Sequence, residues 1–149
     1  MELIIFTGLQ AAGKTTFYGA RFLDSHVRIN LDMLKTRHRE RLLFEACLSA
    51  KQKLVVDNTN PTAADRRRYI RPARDAGFKV IGHYFAADLD ACKARNRARP
   101  REQVVPLPGL LGTYKRLEQP ARDEGFDEIY YVKAAKDGAF IVEAWRDEV

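Results

Sequence analysis

Eight residues near the start of the chain, Gly8-Leu9-Gln10-Ala11-Ala12-Gly13-Lys14-Thr15, satisfy the pattern G-x-x-x-x-G-K-[ST] in full. Glycines at these spacings let backbone amides turn inward around phosphate oxygens. A lysine at the end of the loop reaches the β and γ oxygens, and the hydroxyl that follows holds Mg²⁺. The pattern assigns Gly8, Ala11, Ala12, Gly13, Lys14 and Thr15 to a nucleoside triphosphate, with Thr16 a further candidate contact that also reads as helix packing. Motors, switches and kinases share this motif, so alone it specifies nucleotide binding and no reaction.

Two carboxylates stand where chemistry would need them. Asn30-Leu31-Asp32 ends a short apolar segment, and a carboxylate at the end of a strand beside the phosphate loop can take the proton of an attacking hydroxyl. Asp32 is the candidate general base; an aspartate at this junction also suits the N-cap of the next helix. Leu54-Val55-Val56-Asp57 has the apolar run and terminal aspartate that bind Mg²⁺ directly or through water. Asn58 follows where a hydrolytic motor commonly carries glutamate, so Thr15 and Asp57 are the candidate metal ligands of a transferase. Asp57, Asn58 and Asn60 also fit an ordinary turn.

Arg95 and Arg99 lie four residues apart and share a helical face, the geometry for two guanidiniums to converge on one polyphosphate in cis. A second cluster, Arg66, Arg67, Arg68, Arg71 and Arg74, reads either as a solvated face or as a contact for a nucleic acid backbone, with positions 67, 71 and 74 on one side. A formal charge of +6 and a pI near 9.5 favour an anionic partner without choosing one. Cys47 and Cys92 show no ligand or redox spacing and read as reduced core thiols, and His26, His38 and His83 have no metal spacing.

These residues need a scaffold that brings strand ends together. Residues 2 to 7 read as a buried strand feeding the glycine loop, and Lys14 to about Leu23 as a helix. Val27 to Asn30 is a second strand, and Met33 to Gln52 one helix or two broken near His38. Leu54 to Val56 is a third strand. Thr62 with Asp65 opens a helix that Gly77 ends and Pro72 should kink or split. Phe78 to Phe85, Asp88 to about Arg99, Leu110 to Leu117 and Glu128 to Val132 continue the alternation as strand, helix, helix and strand. Pro100 to Pro108 is expected to be a mobile loop. Lys136-Asp137-Gly138 reads as a turn into a last apolar segment, Ala139 to Trp145. Strands alternating with helices imply a three-layer α/β/α fold around a mostly parallel sheet, with ligands at the carboxyl ends of its strands. At 149 residues one domain is expected, with a lid over about 93–108 and a C-terminal extension over about 133–149. No run of 18 apolar residues offers a membrane span, and the N-terminus lacks the features of a secretory signal, so a cytoplasmic location is expected.

The run Val56-Asp57-Asn58-Thr59-Asn60-Pro61-Thr62-Ala63-Ala64-Asp65-Arg66, with Tyr69-Ile70 and Ala73-Arg74-Asp75-Ala76-Gly77 after it, resembles the 5′-polynucleotide kinase domains of DNA and RNA end-healing enzymes. The likeness extends over most of residues 3 to 132. It implies a kinase-type P-loop NTPase fold with a helical lid, ATP and Mg²⁺ as donor and metal, and transfer of the γ-phosphoryl group to a 5′-hydroxyl of DNA or RNA, a repair chemistry. By residue it implies Asp32 as base, Lys14 and Thr15 on phosphate and Mg²⁺, and Arg95 and Arg99 as lid arginines. The family often has N-R-D where this chain has Asn30-Leu31-Asp32. Lys35 stands where some members place an acceptor-gripping arginine, which exchanges a bidentate fork for a point charge. Lys35, Arg67 and Arg71 are the candidate acceptor contacts. A kinase for a sugar acid or nucleoside would share the cradle, base and lid. A non-catalytic nucleotide switch would share the cradle alone.

Overall fold

The computed structural model describes residues 1–86, 88–135 and 137–145. Its strands are β1 (Glu2–Thr7), β2 (Val27–Ile29), β3 (Leu54–Val56), β4 (Lys79–Phe85), β5 (Glu128–Ala134) and β6 (Phe140–Ala144). They form one sheet in the order β2-β3-β1-β4-β5-β6, parallel throughout except for β6, which runs antiparallel to β5. Helices α1 (Lys14–Arg21), α2 (Leu31–Leu34), α3 (Arg37–Ala50), α4 (Ala63–Asp75), α5 (Leu89–Arg97) and α6 (Leu107–Arg116) connect and cover it.

The pleat of β1 sets the layers. Leu3 and Ile5 point to one face, where Phe44 and Cys47 of α3 and Tyr69, Ile70 and Ala73 of α4 pack against them. Ile4 and Phe6 point to the other, against Phe17 of α1, Cys92 of α5 and Leu110 of α6. Apolar residues on both sides of a strand make it central, and β1 is flanked by β3 and β4. The glycine loop therefore leaves the middle of the sheet, beside the ends of β3 and β4. Both cysteines are free and buried. Among the described residues, no helix is long and apolar enough to cross a membrane.

Several expectations meet differences. The segment from Met33 to Gln52 divides at Lys35-Thr36 rather than near His38: Lys35 turns to φ 76° and Thr36 caps α3 through its hydroxyl at 3.1 Å from the Arg39 amide. Pro72 does not split α4, which continues to Asp75: the bond it removes is its own to the Arg68 carbonyl, and its carbonyl still accepts from the Ala76 amide at 3.0 Å. Thr62 and Asp65 form the reciprocal capping box. Within the segment from 100 to 108, Asn96 accepts from the Val105 amide at 2.9 Å and donates to its carbonyl at 2.7 Å. Residues Arg101–Gln103 form a short 3-10 turn, and α6 starts at Leu107. Beyond 133, β5 continues to Ala134 and β6 follows. Lys136 of the expected turn and Arg146 to Val149 of the extension lie outside the described residues.

Candidate active site

Gly8 must be glycine because a Cβ there would stand 2.8 Å from the Cβ of Phe85, and Gly13 takes φ 94° at the mouth of α1. Ala11 also holds positive φ, 62°. The cradle is thus a strained turn ending on a helix N-terminus, whose amides favour an anion. Lys14 is buried and folds into its own loop, donating to the carbonyls of Gly8 at 3.0 Å and Leu9 at 2.5 Å. Burial pushes its ammonium down to about 8, against the opposing pull of the Asp57 carboxylate.

Thr15 donates its hydroxyl to Asp57 Oδ2 at 3.1 Å, which joins the end of the cradle to the end of β3. Two hard oxygen donors in contact, one of them a carboxylate, suit Mg²⁺. Among the described residues no group of three or more His, Cys, Asp or Glu side chains makes a metal cage, so an ion here would share Thr15 and Asp57 with the nucleotide's own oxygens. Arg28 of β2 crosses both donors, giving Nε to Asp57 Oδ2 at 2.8 Å and Nη2 to the Thr15 hydroxyl at 3.1 Å.

The residues after Asp57 are a clamp more than a turn. Asn58 accepts from the Leu31 amide at 2.9 Å and donates to Glu40 at 2.9 Å. The Thr59 carbonyl accepts from the Gly8 amide at 3.0 Å, and Asn60, at φ 43°, donates to the Phe6 carbonyl at 2.9 Å. In return, Asn30 donates to the Asp57 carbonyl at 2.5 Å and caps α2 by accepting from Met33. The cap role therefore falls to Asn30 and leaves the Asp32 carboxylate exposed in the first turn of α2. Buried Glu40 is held by Asn58, by Arg37 at 2.9 Å and by the Tyr69 phenol at 2.8 Å. Burial, with Glu40 alongside, raises the Tyr69 pKa and keeps the phenol a donor.

Asp32 opens onto a cleft of about 260 Å³ whose wall includes Gln10, Arg37, Asn58, Asp65 and Arg116. On the other side of the cradle, Arg95 donates to the Ala11 carbonyl at 3.1 Å. A hollow of about 220 Å³ lies there between Ala12, Cys92, Arg95, Val132 and Lys133. Arg99 reaches the Gln103 carbonyl at 3.5 Å, and its charge contributes to the lowered Lys14 pKa. The strand ends thus carry a phosphate cradle between two hollows, one walled by Asp32 and Asp65 with Arg37 and Arg116, the other by Arg95 and Lys133 with Asp88.

Residues 3–120 match the family model described as an AAA domain. The chain belongs to that family, in its P-loop kinase form. This AAA-domain kinase is 24% identical over 142 residues to the bifunctional polynucleotide phosphatase/kinase of Schizosaccharomyces pombe, covering 91% of this chain and 35% of that one. It is 32% identical over 135 residues to a putative bifunctional polynucleotide phosphatase/kinase of Acanthamoeba polyphaga mimivirus, covering 86% and 32%. It is 23% identical over 144 residues to the L-seryl-tRNA(Sec) kinase of Methanococcus maripaludis, covering 84% and 56%. The chain therefore spans about a third of the first two relatives and about half of the third. Among solved structures it superposes on Kti12 of Chaetomium thermophilum in complex with ADP-AlF3, at a TM-score of 0.64 and 16% identity over 91% of this chain and 92% of that one. A gluconokinase of Sinorhizobium meliloti gives 0.60 and 18%, over 91% and 83%. At these identities the superpositions carry the fold.

In this AAA-domain kinase the structure brings Gly8, Ala11, Ala12, Gly13, Lys14, Thr15, Asp57, Arg95 and Asp32 to one end of the sheet. Thr16 is exposed on α1, one residue past Thr15. Lys35, Arg67 and Arg71 are exposed and are not among the residues lining the Asp32 cleft. Arg66 departs furthest from a solvated or nucleic-acid-facing cluster: fully buried, it grips both Glu124 oxygens, at 2.7 and 3.0 Å, and donates to the carbonyls of Asn60 and Glu118. Arg74 likewise turns to the Gly125 carbonyl at 3.0 Å. Sequence reading missed Arg28, Arg37 and Arg116. Arg28 alternates with the apolar Val27 and Ile29, a pattern that puts it on a strand, but its partners are 13 and 29 positions away and leave no local signal.

Proposed function

We propose that this kinase transfers the γ-phosphoryl group of ATP to the 5′-hydroxyl end of a nucleic acid strand. The observation that carries the proposal is the exposed Asp32 carboxylate on the wall of a cleft that opens beside the cradle and the Thr15–Asp57 pair. The likeness to two polynucleotide phosphatase/kinases and to a kinase named for seryl-tRNA supports a nucleic acid acceptor.

The acceptor's 5′ oxygen attacks the γ-phosphorus in line with the bond to the departing ADP oxygen, and its proton passes to Asp32. Lys14 exchanges the Gly8 and Leu9 carbonyls for phosphate oxygens. Arg95, already seated on the loop, and Arg99 on the lid neutralise charge that spreads over the γ-phosphoryl group and the leaving oxygen. Thr15 and Asp57 would hold Mg²⁺, which when bound offsets charge on the β and γ oxygens. The hollow beside Arg95 and Ala12 is placed for the nucleoside end of the donor. Asn58, Asn30 and Asn60 fix the strand ends, so base and cradle keep their separation through the reaction.

The 260 Å³ of the cleft also suits a single sugar or nucleoside, which favours a small-metabolite kinase as the second reading. Transfer of labelled γ-phosphate to a 5′-hydroxyl oligonucleotide, with a 5′-phosphorylated one as control, tests the first reading. Gluconate and nucleosides as competitors test the second. Label confined to the hydroxyl end and lost in Asp32→Ala supports a polynucleotide kinase; ATP turnover only with a small acceptor supports the metabolite kinase.

A further inference from the structure

A hollow of about 480 Å³, larger than either space beside the cradle, lies between α3 and α4. Its walls carry three guanidiniums, Arg37 and Arg41 of α3 and Arg68 of α4, and its apolar lining is Phe44, Tyr69 and Pro72. Arg37 lines this hollow and the Asp32 cleft alike, so the two spaces meet at one guanidinium. Its side chain is 54% exposed even while it bonds Glu40, which leaves donors for a ligand. Glu40 is also on the wall, but both of its oxygens are engaged, by Arg37, Tyr69 and Asn58. Glu45 is the one carboxylate on the wall apart from Glu40, against three arginines and His38, which sits 3.5 Å from Arg41. The floor rings are nearly enclosed, at 5% for Phe44 and 2% for Tyr69, so they offer a rigid apolar bed, and exposed Pro72 forms its rim.

We propose that this groove seats the second nucleotide of the acceptor strand, with the phosphodiester between the first and second nucleotides at Arg37 and the next at Arg41 and Arg68. The inference rests on the polynucleotide reading above and sharpens it. A mononucleotide or a metabolite fills the Asp32 cleft alone, whereas a strand reaches a second basic space one residue further on. Three guanidiniums spaced along two helices match a chain of phosphodiesters better than one compact anion. The apolar bed accepts a base face or edge without a hydrogen-bond code, so the groove reads strand length and backbone charge and tolerates any sequence.

The test compares thymidine 3′-monophosphate with 5′-hydroxyl dT2, dT4 and dT8 as acceptors, for wild type and for a protein carrying Arg41→Ala and Arg68→Ala. Both positions are exposed, and a melting curve checks that the double variant folds. Wild type should gain at least about tenfold in kcat/KM between the mononucleotide and dT4. The double variant should lose that gain while its mononucleotide rate is unchanged. The salt slope of dT8 binding, followed by anisotropy of a 3′-fluorescein label, should shallow by about 0.7, the contribution of the one phosphodiester that Arg41 and Arg68 share. No gain with length in wild type, a gain that survives in the variant, or an equal loss on the mononucleotide would each overturn the groove. If no acceptor is phosphorylated, the polynucleotide kinase reading falls and the groove stands or falls on the anisotropy difference alone. If dT8 binds neither protein, both are overturned.

Discussion

Arg28 lies across Asp57, with Nε 2.8 Å from the Oδ2 that also accepts from Thr15. The Asp57 side chain is 1% exposed and the Arg28 side chain 23%, so an almost fully enclosed carboxylate is neutralised by a cation that water can still reach. The guanidinium covers the same two oxygens that suit Mg²⁺. Arg28→Met should therefore cost the nucleotide-free protein about 2 kcal/mol in urea unfolding, less than the ~3–5 kcal/mol of a fully enclosed pair. Adding Mg²⁺ without nucleotide should raise the melting temperature of that variant and leave wild type unmoved. A wild-type shift as large as the variant's would show that Arg28 does not compete for the site.

Asp32 is exposed and makes no bond to the cradle, so changing it isosterically should separate chemistry from donor binding. Asp32→Asn should lower turnover by about 10² to 10⁴. The affinity for ATP, measured by calorimetry, should remain within about twofold of wild type. A fall below tenfold in turnover would move the base elsewhere on the cleft wall, where Asp65 is the next carboxylate.

The parts of this molecule that were legible in its sequence are those whose causes are local. Leu3 to Phe6 is apolar on both faces, which places β1 centrally, and the loop after it carries its chemistry in eight consecutive residues. The Thr62–Asp65 box is read from two side chains three apart. Arg66 shows the opposite case. Beside Arg67 and Arg68 it looks solvated, and only the return of residues 118 to 124 across α4 buries it. Arg37 was equally silent, because its place in the site depends on the break at Lys35, where a left-handed lysine redirects α3.

That buried arginine is the joint between α4, the segment from Glu118 to Glu124 and the Asn60 carbonyl. Arg66→Met should cost about 3–5 kcal/mol because it strands Glu124, whose remaining bond is from the Ala121 amide. Arg66→Lys should recover only part of the loss, since one ammonium cannot span both carboxylate oxygens and two carbonyls. Arg67→Ala, on the exposed side of α4, should stay within about 0.5 kcal/mol of wild type. Chemical denaturation of the three variants checks the ranking; equal losses at 66 and 67 would contradict it.

Lys14 gives the protein two opposite responses to pH. Its ammonium falls from 10.5 to about 8 on folding, chiefly through burial, so between about pH 8 and 10.5 the unfolded chain holds the extra proton. The cost of burying the charge is fully present below pH 8, and its removal should make the nucleotide-free protein gain stability as pH rises through that window. ATP needs the charged form, so its phosphates should draw a proton onto Lys14 above pH 8, and affinity should weaken toward tenfold per unit there. Calorimetry at pH 8.5 in two buffers of different ionisation enthalpy should show proton uptake on binding. Lys14→Met should abolish both the uptake and the alkaline gain in stability. Uptake that persists in the variant would assign the proton to another group.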